Sequence, residues 1–224
     1  MSCKISVIMS VHNDQDNVSN AITSILNQTY KDFEFLIVDD CSTDNTLKII
    51  KKFVTDPRIK LYKNENNIGL TKSLNYLIEK SNGKYIFRQD SDDISLPDRF
   101  QKQLNILEKE KFQVCTSRAV NIKSNKIIPG LSSWVPKKIS IKYKNPYIHG
   151  TLAIEKSLLN QIGNYDEEYL YAQDFKLFLE LNKKNVKIYE IKKPLYKLNT
   201  ENNISTNNKK DQRYYFLKAL KQTK

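Results

Sequence analysis

The chain has 224 residues, 39% of them hydrophobic and 28% charged, with a mean hydropathy of −0.59; this composition suits a soluble globular protein with one sizeable core and excludes a membrane-embedded one. Lysine and arginine number 37 against 25 aspartates and glutamates, a net charge of +12 that favours polyanionic partners: nucleic acid, an anionic membrane face or a phosphate-bearing substrate. The three cysteines, Cys3, Cys41 and Cys115, have no paired spacing, which suits a reducing cytoplasm and offers neither a disulfide framework nor a zinc site.

The opening apolar run, Ile5 to Val11, is a strand, too short to span a bilayer and without a signal-peptide cleavage pattern. Asp14 or Asp16 is placed to cap the following helix, on which Val18, Ile22, Ile25 and Leu26 share a face. Phe33 to Val38 is a second, continuously apolar strand; Asp39 to Asp44 is a polar loop, and Leu47, Ile50 and Val54 line the next helix. Ile59 to Tyr62 is a third strand, followed by an Asn-rich loop to Gly69 and a helix marked by Leu70, Leu74, Leu77 and Ile78. Gly83 turns the chain into Tyr85-Ile86-Phe87, a buried strand. Strands alternating with helices of this length predict a parallel α/β sheet for the first hundred residues.

That fourth strand runs into Arg88-Gln89-Asp90-Ser91-Asp92-Asp93. Crowding three carboxylates is costly without a cation among them. If the strand continues, Asp90 and Asp92 fall on one face, where they can share a hard divalent cation with the phosphates of a nucleotide, and Asp93 points elsewhere. The alternative is a solvated acidic turn before a helix with Ser95 as cap and Pro97 in its first turn. In parallel sheets ligands bind beyond the carboxyl ends of the strands. Three such ends are polar here, at Ser10 to Asn13, Asp39-Asp40 and Asp90 to Asp92, and no Gly-rich phosphate loop accompanies them.

Beyond the helix of Phe100, Leu104 and Leu107 the pattern shifts to short strands, Phe112 to Thr116, Lys126 to Ile128 and Ile139 to Tyr143, separated by Pro129, Gly130, Pro136 and Pro146. No Gly/Ser linker divides the halves, so residues 1–198 are expected to form one domain, with a nucleotide half at 1–98 and an acceptor half at 99–198. His149 to Ile154 reads as a strand entered through Gly150, and Leu158, Leu159 and Ile162 as a helix stopped by Gly163. Gln173-Asp174 opens a helix with Leu177, Phe178 and Leu181 on its apolar face, and Val186 to Ile191 is the last strand. Residues 199–208 are polar, and Lys209 to Lys224 carries Tyr214, Tyr215, Leu217 and Leu220 among basic residues, a basic amphipathic helix. No zinc-finger, RNP or helix-turn-helix pattern accompanies the lysines, so a nucleic-acid partner is not expected.

Ile5 to Asn13, Ser24-Ile25-Leu26-Asn27-Gln28-Thr29-Tyr30, Val38 to Asp44, Asn67 to Leu70 and Arg88 to Asp93 resemble the N-terminal half of family 2 glycosyltransferases of the GT-A fold. His149-Gly150-Thr151, Ile162 to Asp166 and Ala172 to Leu177 resemble its acceptor half. The resemblance implies a Rossmann-like, mainly parallel α/β sheet flanked by helices, with a mixed acceptor side. It also implies a nucleotide-sugar site at Ser10, His12, Asn13, Asp39, Asp40, Asn67, Gly69, Lys72, Arg88, Asp90 and Ser91, with Asp40 accepting from a uracil N–H. Asp92 would ligate Mn²⁺ or Mg²⁺, joined by Asp90; Asp174 would be the general base; His149, Gly150, Thr151 and Gln173 would face the acceptor. The implied reaction is inverting transfer of one sugar from a nucleotide donor, a UDP-sugar, to a hydroxyl of a glycan or lipid-linked saccharide. The setting would be the cytoplasm, at the inner face of an anionic membrane met through the basic tail.

Each assignment has a structural rival. Asp174 can cap its helix, Asp39 and Asp40 can form a turn, His149 can satisfy a backbone group, Arg88 can pair with the aspartates, and Trp134 is a sugar platform or a core residue. Gln173 stands where the family usually has an acid, and the Gln-x-x-Arg-Trp motif of processive synthases is missing, which favours single addition. A sugar nucleotidyltransferase is the rival enzyme, although residues 10–20 contain no glycine for its phosphate loop. A basic polyanion-binding protein with a vestigial site is the rival from outside the enzymes.

Overall fold

The computed structural model describes residues 3–130, 135–201 and 208–222, so Trp134 and residues 202–207 of the polar stretch lie outside the described residues. Its centre is a nine-stranded mixed sheet. The first part follows the alternating pattern: β1 (Ile5–Val11), α1 (Val18–Leu26), β2 (Phe33–Asp39), α2 (Thr46–Lys51), β3 (Ile59–Lys63), α3 (Leu70–Lys80) and β4 (Tyr85–Arg88). β1 pairs parallel with β2 on one side and β4 on the other, and β3 pairs parallel with β2. Helical crossovers cover both faces of such a sheet. Every residue of β2 is accordingly buried, and successive side chains enter opposite cores. Ile8, Leu36, Val38 and Ile86 pack with Leu74, Leu77 and Ile78 of α3, whereas Val7, Met9, Phe35, Ile37 and Phe87 pack with Ile22 and Ile25 of α1.

The later elements extend the same sheet: β5 (Ile94–Ser95), α4 (Arg99–Lys109), β6 (Val114–Asn121), β7 (Ile127–Ile128), α5 (Lys137–Ser140), β8 (Ala153–Glu155), α6 (Lys156–Gln161), α7 (Gln173–Lys183), β9 (Ile188–Leu198) and α8 (Lys209–Lys221). The strand order is β3-β2-β1-β4-β8-β6-β9-β5, with β7 on β6. β8 runs antiparallel to both β4 and β6 and so joins the two halves.

Several local expectations give way to tertiary contacts. Ile139 to Tyr143 is helical, not a strand: Ser140 and Ile141 donate to the carbonyls of Pro136 and Lys137. Its alternating apolar residues mimic a strand, but the helix turns Ile141 inward and leaves Ile139 and Tyr143, four residues apart, outside. Ser95 is not a cap; it lies in β5, paired with β9, and α4 begins at Arg99 behind Asp98. His149 to Thr151 is a 3-10 turn, and strand begins only at Ala153. Neither Asp14 nor Asp16 caps α1 through its side chain; the Asp14 carbonyl accepts from Val18. α2 ends at Lys51, so Val54 stays exposed. The strand expected at Phe112 to Thr116 runs from Val114 to Asn121, and the one expected at 186–191 continues to Leu198 through a register shift opposite Ser117 to Ala119.

α8 forms as the basic tail predicts, yet its apolar side is spent on the protein. Phe216 stacks on Phe175 with centroids 4.2 Å apart, and Ala219 is buried against the α7 side of the core. Among the described residues no helix is long and apolar enough to cross a membrane.

At the opposite edge from the polar strand ends, Glu34 closes the sheet. Its carboxylate accepts from Ser6 Oγ at 2.5 Å, the Asn82 amide at 2.6 Å and Lys60 at 2.7 Å. Burial would raise its pKa, but these donors outweigh that and hold it at about 2. Gly83 passes between them so closely that a Cβ there would lie 2.5 Å from the Ser6 nitrogen and 2.7 Å from the Ile5 carbonyl carbon, both backbone. Gly83→Ala is therefore expected to lower stability by about 1–3 kcal/mol in urea unfolding. A variant within about 0.5 kcal/mol of wild type would show that the strands part without cost.

Candidate active site

The parallel strands bring their carboxyl ends to one edge, and two loops there lock together. The Asn13 amide donates to Ser42 Oγ at 3.0 Å while Asn13 Oδ1 accepts from the Thr43 amide at 2.8 Å. The Asp14 amide donates to Thr46 Oγ1 at 2.8 Å. His12 is exposed, its Nδ1 2.9 Å from the Asp40 carbonyl, and Ser10 is half-buried on β1. These residues stand together as the motifs imply.

The two aspartates after β2 stand in different surroundings. Both Asp40 carboxylate oxygens are already bonded, Oδ1 to Asn64 Nδ2 at 2.7 Å and the Ile68 amide at 3.0 Å, Oδ2 to the Gly69 amide at 2.9 Å. Asp40 thus holds the loop before α3 in place, and Asn67 Oδ1 adds a bond to the same Gly69 amide at 3.1 Å. Gly69 has φ +86°, a region that favours glycine. Asp39 is fully buried; its Oδ2 accepts from the Ser42 amide at 3.2 Å and its Oδ1 has no partner among the described residues. Asp39 thus has a carboxylate oxygen with no partner, and Asp40 Oδ2, with one donor, keeps a further acceptor position. Lys72 is exposed in the first turn of α3, three residues beyond Gly69, and also lines a polar cleft of about 900 Å³ with Asn75, Tyr165 and Lys176.

β4 stops at Arg88, so Asp90 to Asp93 is a turn, not a strand with two carboxylates on one face. Two buried arginines carry it. Arg88 donates to Asp90 Oδ1 at 2.5 Å. Arg99 donates to the Arg88 carbonyl at 2.7 Å, Ser95 Oγ at 2.8 Å, Gln103 Oε1 at 2.9 Å and Gln89 Oε1 at 3.2 Å. Gln89 in turn donates to the carbonyls of Asp90 and Asp93. From the far end of β9, Tyr196 accepts from the Asp90 amide at 3.1 Å. Asp93 is buried and accepts from the Asn199 amide at 2.6 Å, turned away from its neighbours as expected.

Asp92 and Ser91 remain half-buried in the turn. Burial, then the charges of Asp90 and of Asp14, push the Asp92 carboxyl up to about 7. Asp14 is the neighbour that the sequence pattern did not indicate. No group of three or more His, Cys, Asp or Glu side chains among the described residues converges to hold a metal ion unaided. Asp90 and Asp92 are nevertheless a hard-oxygen donor pair whose mutual repulsion a divalent cation would relieve, the remaining positions falling to anionic oxygens of a ligand.

The acceptor-half motifs close over this turn. A Cβ on Gly150 would lie 2.5 Å from the Tyr196 hydroxyl and 2.7 Å from Asp90 Oδ2, so only glycine permits the approach. His149 Nε2 is 2.7 Å from the Tyr165 hydroxyl. Burial and then Arg88 lower the His149 pKa, against the opposing pull of Asp174 and Asp90, so its imidazole is neutral at pH 7. Asp174 lies in the first turn of α7, where no side-chain cap bond forms; its Oδ2 accepts from Asn145 Nδ2 at 2.6 Å. The helix-cap rival for Asp174 is thereby set aside. Gln173 and Thr151 are buried, and the Thr151 hydroxyl bonds to Ile148 and Ser117. The cluster thus joins Arg88, Asp90, His149, Gly150 and Asp174. Tyr165, Asn145 and Tyr196 complete it without having been singled out; Tyr165 at least falls inside a quoted motif, whereas the other two carry no local signal.

Residues 6–170 match the sequence profile of glycosyl transferase family 2. The chain belongs to that family. EpsE of Bacillus subtilis (strain 168) is 33% identical over 205 residues, covering 87% of this chain and 72% of its own length. The UDP-Glc:alpha-D-GlcNAc-diphosphoundecaprenol beta-1,3-glucosyltransferase WfgD of Escherichia coli is 30% identical over 184 residues, covering 81% of this chain and 70% of its own. Among solved structures, S. aureus TarS 1-349 in complex with UDP-GlcNAc superposes with a TM-score of 0.80 at 21% identity, over 98% of this chain and 66% of that one. The expected GT-A fold and glycosyltransferase class hold.

The folded chain keeps the Asp92 proton up to about pH 7, against an ordinary value of 3.8. Its stabilising contribution is complete below the lower value and is lost as pH rises through the higher. In EDTA, thermal unfolding midpoints are expected to fall less between about pH 5 and about pH 8 in Asp92→Asn than in wild type. Parallel curves would contradict a proton held at this site.

Proposed function

We propose that the chain is an inverting, metal-dependent glycosyltransferase that moves one sugar from a UDP-sugar to a hydroxyl of a lipid-linked saccharide, with residues 1–198 as its single catalytic domain. The observation that carries this reading is that Asp174, held by Asn145, and Asp90, held by Arg88 and approached by Gly150, both bring their charges to bear on His149. In this reading the nucleoside lies against Ser10, His12, Asn13 and Asp39, with the loop of Asn67 and Gly69, braced by Asp40, as one wall. Arg88 fixes Asp90, and Asp90 with Asp92 binds Mn²⁺ or Mg²⁺. When bound, that ion neutralises charge on the departing diphosphate. Asp174 takes the acceptor hydroxyl's proton as its oxygen attacks the anomeric carbon from the side opposite the diphosphate, a single displacement that inverts the centre. Asn145, by donating to Oδ2, leaves Oδ1 as the proton acceptor.

Tyr165 and the neutral His149 form the wall beside Asp174, and Gly150 leaves room for the donor sugar next to Asp90. The activity for which WfgD is named, on a UDP-sugar donor and a diphosphoundecaprenol-linked acceptor, supports the choice of donor and acceptor class. The enzyme would then work at the cytoplasmic face of the membrane that holds such a lipid.

The test is nucleotide release and product formation from UDP-, GDP-, CMP- and dTDP-sugars, with Mn²⁺ or EDTA. Asp174→Asn is expected to lower turnover by roughly 10²–10⁴-fold with donor affinity kept, whereas Asp92→Ala is expected to abolish the metal dependence together with the rate. An unchanged rate in Asp174→Asn would remove it as base. Release of pyrophosphate instead of UDP would point to a nucleotidyltransferase, and polyanion binding indifferent to Asp92→Ala, without turnover, to a vestigial site.

A further inference from the structure

The basic tail is the obvious membrane candidate in the sequence, but it spends Phe216 on a stack with Phe175 and buries Ala219, leaving Tyr214 and Leu217 exposed on a helix that lies against α7. The stretch from Val135 to Lys144 has the opposite arrangement. It is tied down from within: Ile141 and Ser140 are buried, and Lys137 donates to Glu190 at 2.8 Å and to the Pro146 carbonyl at 2.9 Å. Its outer side leaves Ile139 51% and Tyr143 76% exposed, with Val135 at 43%. Lys142 and Lys144 are exposed on either side of Tyr143. Between residues 135 and 144 there are four lysines and no acidic residue.

We propose that this face of α5 and its following turn seats on an anionic lipid bilayer, with Ile139 and Tyr143 entering the headgroup region and Lys142 and Lys144 meeting lipid phosphates. A large aliphatic and a tyrosyl side chain one helical turn apart, among flexible cations, match the apolar boundary and negative potential of such a surface. With no carboxylate among these lysines, the stretch presents positive charge of one sign around two apolar side chains, which suits a uniformly negative surface of lipid phosphates. The segment runs directly into Asn145, whose amide holds Asp174 at 2.6 Å. Docking there sets the acceptor side of the site against the lipid surface, where the diphosphate of a lipid-linked acceptor lies; this placement rests on the transferase reading above.

The test is flotation of the full chain with vesicles of phosphatidylglycerol and phosphatidylethanolamine, and with phosphatidylcholine alone. Wild type is expected to bind only the anionic vesicles, and less as salt rises. Ile139→Ser/Tyr143→Ser is expected to lower the bound fraction at least about fivefold, with its unfolding midpoint and UDP release unchanged. Lys142→Glu/Lys144→Glu should do likewise, whereas Lys209→Glu/Lys210→Glu in the tail should bind as wild type. Binding retained by the Ile139/Tyr143 variant, or lost only in the tail variant, overturns the proposal. So does wild type that ignores every vesicle while still releasing UDP, which would leave the face to a protein partner. UDP release is read separately, so a chain that floats without turnover counts against the transferase reading and not against this surface.

Discussion

Two guanidinium groups buried beneath an acidic turn are the constraint on which the site depends. Arg88 is 1% exposed and Arg99 fully buried, and burial lowers the Arg99 pKa to about 10. Taking such cations from water is costly unless every donor direction is used and negative charge lies near. Here the nearby negative charge is the Asp90 carboxylate, and Arg99 finds oxygens on Gln89, Ser95, Gln103 and the Arg88 carbonyl, whereas Arg88 Nε has no partner among the described residues. Fold and function are therefore coupled at one point: the cations hold the turn in place, and the turn's carboxylates make the cations tolerable. Tyr196 closes the arrangement from β9, its ring 5.1 Å from the Arg99 guanidinium and its hydroxyl on the Asp90 amide.

The loops beyond β1, β2 and β3, the nucleotide side of the proposed enzyme, are preorganised by another route. The loops after β1, β2 and β3 bond to each other more than to themselves, through Asn13 to the 42–43 segment, Asp14 to Thr46 and Asp40 to the Asn64 to Gly69 loop. Loops tied in this way spend little entropy on ordering when a ligand arrives. An aspartate that braces a loop shapes a pocket as surely as one that touches the ligand. Asp40 is the braced case, and the unbonded, buried oxygen of Asp39 is the local stress that a bound nucleoside is suited to relieve.

Apolar surface is distributed against the composition. The tail that is most amphipathic to the eye packs Phe216 and Ala219 beside α7, while the short α5 and its following turn keep Ile139 and Tyr143 in water just before Asn145. Both carry similar residue types. What separates them is whether a neighbouring element presents a complementary apolar face, as Phe175 does for Phe216.

The sequence alone determined the parallel half from β1 to β4, the polar strand ends at Ser10, Asp39 and Asp90, the start of α7 at Gln173-Asp174 and the glycosyltransferase family. These rest on periodicity within one element and on motif residues close in the chain. The tertiary structure alone decided that Tyr196 supports Asp90 from 106 residues away, that Tyr165 meets His149, that Asn145 holds Asp174, that Ser95 is strand and 139–143 a helix end and turn, and that Asp40 braces a loop. The reason is physical: hydrophobic period tells which face of an element turns inward, whereas sheet order and register decide what that face meets, and no short stretch of chain encodes a partner so far along it.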